Sequence, residues 1–305
     1  MRILVLGAGG IGGYFGGLLV KGGADVTFLV RPGRAAQLRE QGLVIESPLG
    51  NFQVPARTVL REDVQPGWDA IILACKAYDL EDAIDTLRPA AAGALIVPQL
   101  NGIRHLAVLD AAFGAEAVAG GMTQVGLALE PDGRIRHLAL TPIFRHGARQ
   151  ASQQARAEKL RDTLALGGET FALSDNILRD MWEKFTFLAT LAAMTCLMRA
   201  TVGEIARTDE GAALTLSVLE DCAAASAAAG YAPRGEYLAD LRTRLTNPTS
   251  PLAASMLRDL TKGGNIEGEH IVGDMLSRAR AAGRAAPVLA AAYTQLQAYS
   301  GRLGK

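Results

Sequence analysis

The chain has 305 residues, of which 49% are hydrophobic, so it is long enough to form two domains with substantial cores. Lysine plus arginine and aspartate plus glutamate each number 31, which gives a formal net charge of zero. Without an excess of positive charge, the chain lacks the electrostatic character of a nucleic-acid-binding protein.

The first hundred residues alternate between short apolar strands and helical patterns. The predicted strands are Ile3 to Leu6, Val26 to Val30, Ala70 to Cys75 and Ala94 to Val97. The predicted helices between them are Ile11 to Val20 and Leu80 to Leu87. Alternation of this kind predicts a doubly wound α/β domain with a parallel sheet.

Beyond Ser174 the strand signals cease, which predicts an all-helical second domain. The predicted helices are Met181 to Met198, Ala212 to Ala229, Pro251 to Leu260 and Ile266 to Ala282. The stretch Leu164 to Asp175 contains Gly167-Gly168 and is the expected boundary. We therefore expect a first domain at residues 1–168 and a second at residues 169–305.

Three cysteines, Cys75, Cys196 and Cys222, stand far apart among apolar or small residues. This spacing predicts free thiols and a reducing, cytoplasmic location. The sequence opens on a short strand, without the pattern of a signal peptide. Because the apolar run Phe185 to Met198 is too short to span a bilayer, it predicts a buried helix, and no membrane association is expected.

Directly after the first predicted strand comes Gly7-Ala8-Gly9-Gly10-Ile11-Gly12, the glycine pattern of a dinucleotide-binding loop. The three spaced glycines allow a tight turn, a close backbone approach to a pyrophosphate and close helix packing. The following helix offers unpaired amides to phosphates. A glycine-rich turn without a ligand is the alternative.

The second predicted strand ends at Arg31, where an NAD-binding protein carries an acidic residue for the ribose hydroxyls. A guanidinium there suits the 2′-phosphate of NADP, and Arg34 could join it in clasping that group. In the alternative interpretation, Arg31 is a solvated loop charge.

Taken together, these features resemble the ketopantoate reductase family, in which a Rossmann domain and a helical domain enclose NADPH and a keto acid. The landmarks are the Gly7 to Gly12 loop, Arg31, Cys75-Lys76-Ala77, Gln99-Leu100-Asn101-Gly102, Gly120-Gly121, Trp182-Glu183-Lys184, Ser255-Met256-Leu257-Arg258-Asp259 and Glu267. The resemblance implies a second domain like the C-terminal domain of 6-phosphogluconate dehydrogenase. It also implies NADPH-dependent reduction of 2-dehydropantoate (ketopantoate) to pantoate in pantothenate biosynthesis.

By the same resemblance, Lys184 is the catalytic lysine. An ammonium beside a ketone can stabilise the negative charge that grows on the oxygen and can donate the proton. Glu267 matches the glutamate that reaches the nicotinamide ribose and the hydrogen-bond network, and Ser255 matches a substrate-binding serine. Each residue also has an interpretation without a ligand. Lys184 could extend into solvent, and Ser255 could be an ordinary helical residue. Glu267 could only stabilise electrostatically the N-terminus of a helix that Asn265 caps.

Lys76 and Asn101 follow predicted strands, at the sheet edge where doubly wound proteins bind ligands. The resemblance implies that both hold the nicotinamide end of the cofactor and the substrate. Asn101-Gly102 is also a turn sequence.

Three positions depart from the family pattern. Where ketopantoate-reducing members carry substrate-binding asparagines, this chain has Leu188, Ala192 and Val202. Losing paired polar groups strongly changes substrate discrimination, so a 2-keto acid more apolar than ketopantoate is the alternative substrate. Thr190, Thr195 and Arg199 are candidates to compensate.

The sequence thus predicts a small-molecule 2-keto acid reductase that binds its substrate in the interdomain cleft. The alternatives are a reductase of a different keto acid and a non-catalytic NADPH sensor, although a sensor does not need Lys184. No metal is expected, because His105, His137, His146 and His270 lack ligand spacing. The apolar helices of the second domain are compatible with a homodimer interface.

Overall fold

Short strands alternate with helices in the first part of the chain, and helices fill the rest. The computed structural model describes residues 1–303, apart from the side chains of residues 139 and 140. The strands are β1 (Arg2–Leu6), β2 (Asp25–Leu29), β3 (Leu43–Glu46), β4 (Phe52–Val54), β5 (Thr58–Val59), β6 (Ala70–Leu73), β7 (Leu95–Pro98), β8 (Gly120–Leu129), β9 (Ile135–Gly147) and β10 (Phe171–Leu173). The α-helices are α1 (Gly10–Lys21), α2 (Pro32–Gln41), α3 (Leu80–Leu87), α4 (Arg104–Phe113), α5 (Gln154–Leu164), α6 (Ile177–Met198), α7 (Val202–Ala206), α8 (Gly211–Ala228), α9 (Gly235–Leu245), α10 (Ser255–Thr261), α11 (Asp274–Ala281) and α12 (Pro287–Leu303).

A parallel sheet forms the centre of the first unit, with strands in the order β5-β2-β1-β6-β7. The predicted strands and the doubly wound arrangement are confirmed. Strands β6 and β7 are buried along their whole length, as expected for a sheet covered on both faces. The strand order reverses between β1 and β6, so the carboxyl ends of these two strands mark the ligand-binding edge.

A second, mixed sheet was not predicted; its strands run β10-β9-β3-β4, with β8 paired to β9. Helix α1 packs against both sheets, and its glycines make this possible. A Cβ on Gly13 would lie 2.2 Å from Ile135 Cδ1, and one on Gly16 would lie 2.5 Å from Phe28 Cε1. The helix that begins at the glycine loop is therefore fixed from two sides.

Compact packing divides the chain into two units, residues 1–100 with 105–177 and residues 101–104 with 178 onwards. The boundary expected after residue 168 stays a prediction. The second unit is helical, as predicted, although α7, α9 and α12 were not foreseen. Within residues 1–303, no helix combines the length and the hydropathy that a membrane span requires.

Two predicted helices of the second unit have different limits. The helix expected from Pro251 starts only at Ser255, because Ala254 is extended and donates its amide to Thr195 Oγ1 at 3.3 Å. The helix expected from Ile266 begins with a π-helical segment, Glu269–Gly273, which leads into α11.

Candidate active site

The glycine loop lies at the carboxyl end of β1. Gly7 has φ +93°, and its amide donates to Leu29 O at 3.0 Å. A Cβ on Gly12 would lie 2.0 Å from Gly7 O, so only glycine fits there, whereas a Cβ on Gly9 would meet no atom within 4 Å. Gly9 caps α1, which leaves the first-turn amides of the helix unpaired. The loop Gly7, Ala8, Gly9, Gly10, Ile11 and Gly12 has the turn and the open approach that a pyrophosphate requires.

Arg31 stands at the end of β2, as predicted, and its side chain is 76% exposed. Its Nη2 lies 3.3 Å from Asp79 Oδ1 and 3.7 Å from Asp82 Oδ2. Exposed ion pairs of this kind are weak, so a phosphate can compete for the guanidinium.

Arg34 does not take the position expected of a second phosphate ligand. Its Nε donates to Ala8 O at 3.0 Å and its Nη1 donates to Gly133 O at 2.8 Å. The prediction that Arg34 joins Arg31 in clasping a 2′-phosphate is therefore corrected, because backbone carbonyls already hold this guanidinium.

Lys76 follows β6, at the edge where the strand order reverses, and caps a short 3₁₀ turn at Ala77–Asp79. Its position matches the expectation from the sequence. Its role toward a cofactor or substrate stays a prediction.

Lys184, Asn101 and Glu267 come together in the second unit. Lys184 on α6 donates from Nζ to Asn101 Oδ1 at 3.0 Å. Asn101 donates in turn from Nδ2 to Glu267 Oε2 at 3.5 Å, and Glu267 is only 7% exposed. The asparagine amide thus turns its oxygen to the ammonium and its nitrogen to the carboxylate, which links three predicted site residues in one chain of hydrogen bonds.

The ammonium of Lys184 has an unusual acidity. Burial lowers the pKa of Lys184 from 10.5 to about 8, and the charge of Glu267 limits this fall. At neutral pH the group is still mostly protonated. A general acid is most effective when its pKa lies close to the working pH, so Lys184 is suited to give up a proton.

Next to Lys184, Glu183 anchors α6 to Arg234. Its Oε1 accepts hydrogen bonds from Arg234 N and Nε, both at 2.9 Å. Burial alone would raise the pKa of Glu183, but the Arg234 hydrogen bonds and charge outweigh it and hold that pKa below its ordinary value. Sequence reasoning treated Glu183 only as a landmark, because its partner lies 51 residues away.

His270 packs beneath the turn that carries Asn101. Its ring forms a hydrogen bond with the Asn101 backbone, and burial lowers its pKa. Gly102 has φ +75°, and a Cβ there would lie 3.2 Å from His270 O. His270 belongs to the π-helical segment, a feature that is frequent at functional sites. A single histidine gave no sequence signal for this contact.

Two of the other histidines are bound to their surroundings in the first unit. His146 Nε2 lies 3.1 Å from Ala157 O, and His137 Nδ1 lies 2.9 Å from Ser47 Oγ. In the described part of the chain, no group of three or more His, Cys, Asp or Glu side chains is arranged to hold a metal ion.

Ser255 is the first residue of α10, and its hydroxyl makes no hydrogen bond with any residue of the described chain. It is thus available for a ligand, and its predicted role toward a substrate carboxylate stays a prediction.

The positions that depart from the family pattern are apolar and partly or fully buried. Leu188 and Ala192 follow Lys184 by one and two turns of α6, and Val202 lies in α7. Arg199 comes fifteen residues after Lys184, about 22 Å farther along at a rise of about 1.5 Å per residue. Arg199 lies just beyond the end of α6, with φ +55°, and its role as a compensating group stays a prediction. Thr190 and Thr195 donate to backbone carbonyls of their own helix.

Comparison with known proteins places the chain in a family. The models "Ketopantoate reductase PanE/ApbA" and "Ketopantoate reductase PanE/ApbA C terminal" match residues 3–147 and 176–300. An uncharacterized oxidoreductase of Bacillus subtilis, YkpB, is 35% identical over 301 residues, which cover 98% of this chain and 99% of the relative.

Two solved structures share the fold. The 2-dehydropantoate 2-reductase of Geobacter metallireducens has a TM-score of 0.87 and 25% identity, over 98% of this chain and 99% of that one. D-mandelate dehydrogenase, solved with NADH and anilino(oxo)acetate, has a TM-score of 0.88 and 22% identity, over 100% of this chain and 99% of that one. The resemblance and the two-domain fold expected from the sequence are confirmed. The chain therefore belongs to the ketopantoate reductase family, an oxidoreductase family whose members bind NAD(P)H.

Proposed function

We propose that the protein reduces a 2-keto acid to the 2-hydroxy acid with NADPH, and that Lys184 is the proton donor. The observation that carries this proposal is the ammonium of Lys184, held by Asn101 beside the buried Glu267. NADPH, when bound, supplies a hydride to the keto carbon. Negative charge then grows on the keto oxygen, where the ammonium of Lys184 stabilises it and delivers the proton.

Asn101 and Glu267 position the lysine. Asn101 Oδ1 accepts one of the three ammonium hydrogens, which leaves two for the substrate oxygen or solvent. Glu267 orients the asparagine amide and keeps a negative charge near Lys184. We further propose that Glu267 and Asn101 also reach the nicotinamide end of the cofactor, with Lys76, and that Ser255 binds the substrate carboxylate.

The pH dependence of the reaction tests the part played by Glu267. Its charge raises the pKa of Lys184, so Glu267→Gln should lower that pKa further. We expect the alkaline limb of the pH–kcat/KM profile to move to lower pH, with a smaller fraction of active enzyme at pH 7. Glu269→Gln is the matched control, since Glu269 pairs with Arg104 at 3.1 Å. An unshifted limb in Glu267→Gln would remove Glu267 from this role.

The preference for NADPH rests on Arg31. Its exposed guanidinium stands where the adenosine ribose of a dinucleotide is expected, and no acidic residue ends β2. We expect Arg31→Ala to raise the KM for NADPH about tenfold or more and to leave the KM for NADH nearly unchanged. Steady-state kinetics with both cofactors measure this. An equal change for the two cofactors would contradict the assignment.

There are two candidate substrates. Family membership favours 2-dehydropantoate, and with it a place in pantothenate biosynthesis. The apolar residues Leu188 and Ala192, on successive turns after Lys184, favour a 2-keto acid with an apolar side chain, because they offer no partner to a hydroxyl group. A cytoplasmic location is supported by Cys75, Cys196 and Cys222, which form no disulfide within residues 1–303.

A panel assay distinguishes these possibilities. NADPH oxidation is followed by absorbance with 2-dehydropantoate and with branched, linear and aromatic 2-keto acids. We expect the highest kcat/KM with an acid whose side chain lacks a hydroxyl group. A clear preference for 2-dehydropantoate would establish the family's named reaction instead. No turnover with any 2-keto acid, despite NADPH binding, would favour a sensor and defeat the proposal.

A further inference from the structure

The guanidinium of Arg34, on α2, donates hydrogen bonds to two backbone carbonyls. Nε donates to Ala8 O at 3.0 Å, while Nη1 donates to Gly133 O at 2.8 Å and to Gln37 Oε1 at 3.2 Å. The remaining nitrogen, Nη2, is buried and has no hydrogen-bond partner among the described residues. Because Nε and Nη1 are already paired and Nη2 is buried, the guanidinium offers no exposed unpaired nitrogen to a ligand that arrives from solvent.

The hydrogen bond to Ala8 fixes the direction of a loop amide. In a trans peptide, the carbonyl and the N–H of the next residue point in opposite directions. With Ala8 O held toward Arg34, the N–H of Gly9 must point the other way. Gly9 itself faces open space, since a Cβ there would meet nothing within 4 Å. The Arg34 hydrogen bond thus restricts the most open part of the loop.

The other end of the guanidinium holds the turn between β8 and β9. Gly133 lies in this turn, and Gln41 Nε2 donates to the neighbouring Asp132 O at 2.7 Å. The same hairpin contacts the loop directly, since a Cβ on Gly10 would lie 3.2 Å from Leu127 Cβ. Arg34 therefore joins the glycine loop to the β8–β9 hairpin of the second sheet.

We propose that Arg34 is a positioning residue that preorganises the dinucleotide loop and is not a ligand of the 2′-phosphate. The inference rests on the proposed function, because it concerns the binding of that cofactor. A loop held in its binding conformation lowers the ordering cost of binding for any dinucleotide. Loss of Arg34 must consequently affect NADPH and NADH by the same factor.

Binding titrations test this consequence. Fluorescence titration gives Kd for NADPH and NADH with the wild type, Arg34→Lys and the matched control Arg31→Ala. Lysine keeps the charge but cannot reach both carbonyls with a planar fork. We expect Arg34→Lys to raise both Kd values by about tenfold and to leave kcat at saturating cofactor unchanged. A rise for NADPH alone, or no rise for either cofactor, would overturn the proposal.

Hydrogen exchange provides a readout without cofactor. In Arg34→Lys, amides of residues 8–13 and 130–134 should exchange faster than in the wild type, while those of β6 and β7 keep their rates. Unchanged exchange in the loop would overturn the inference. If the wild type binds neither dinucleotide, the proposed function fails, and the exchange rates still decide whether Arg34 orders the loop.

Discussion

Lys184→Met should lower kcat for 2-keto acid reduction by about 10²–10⁴-fold, the usual contribution of a positioned general acid. The variant keeps the length of the apolar stem and its helical propensity but removes the charge and the proton. KM for NADPH should change little, because the glycine loop is unaffected. Steady-state kinetics measure both values. Turnover within a factor of three of the wild type would exclude Lys184 as the acid.

The same variant should be more stable than the wild type. A fall in pKa from 10.5 to about 8 corresponds to about 3 kcal/mol of unfavourable burial of the charged form at neutral pH. Leaving Asn101 Oδ1 without its donor costs about 1 kcal/mol in return, so the net gain should be about 2 kcal/mol. Urea unfolding at pH 7 measures it, with Lys159→Met, at an exposed lysine, as the control.

The stability difference between Lys184→Met and the wild type should depend on pH. Because the folded pKa of Lys184 lies below the unfolded one, the unfolded chain binds more protons between about pH 8 and 10.5. The Lys184 contribution to stability should therefore become less unfavourable as the pH rises through this range. The advantage of Lys184→Met should shrink accordingly. An advantage that grows with pH would contradict the assigned pKa shift.

Substitution of alanine for Gly12 should reduce both stability and NADPH binding, whereas substitution for Gly9 should reduce only NADPH binding. A Cβ at Gly12 would lie 2.0 Å from Gly7 O and 3.1 Å from Val5 Cγ1, so Gly12→Ala should cost about 3 kcal/mol or more of stability. It should also abolish NADPH binding. At Gly9, φ is −81° and the space is open, so Gly9→Ala should keep the stability of the wild type. It should still weaken NADPH binding at least tenfold, because the methyl group stands where pyrophosphate approaches.

Thermal melting and cofactor titration separate these outcomes. The loop assignment would be wrong if Gly9→Ala bound NADPH as tightly as the wild type. A loss of stability in Gly9→Ala would instead show that the loop carries a packing role at that position.

The parallel sheet was predictable because its strands are continuous runs of branched apolar residues between glycines and charges. Strands β1, β2, β6 and β7 were found in this way. The second sheet was not predictable from the sequence. Strands β3, β4 and β10 have only three or four residues, and Gly120 and Pro142 weaken the strand patterns of β8 and β9. Its strands acquire their pairing from tertiary packing on α1.

The principal site residues were found through their family spacing, and their mutual contact required the fold. Asn101 and Glu267 are separated by 166 residues and Asn101 and Lys184 by 83. The contacts of Glu183 with Arg234, of His270 with Asn101 and of Arg34 with Ala8 also join residues that are far apart in sequence, so no local sequence pattern predicts them. Arg199 was considered on charge alone, and its role stays a prediction.

The most direct test of the central claim is the pH dependence of kcat/KM for the preferred 2-keto acid, which reports ionisations of the groups on which catalysis depends. If the buried ammonium of Lys184 is the acid, kcat/KM should fall about tenfold per pH unit above a pKa near 8. A kcat/KM that stays constant up to about pH 10, close to the ordinary pKa of lysine, would contradict the account.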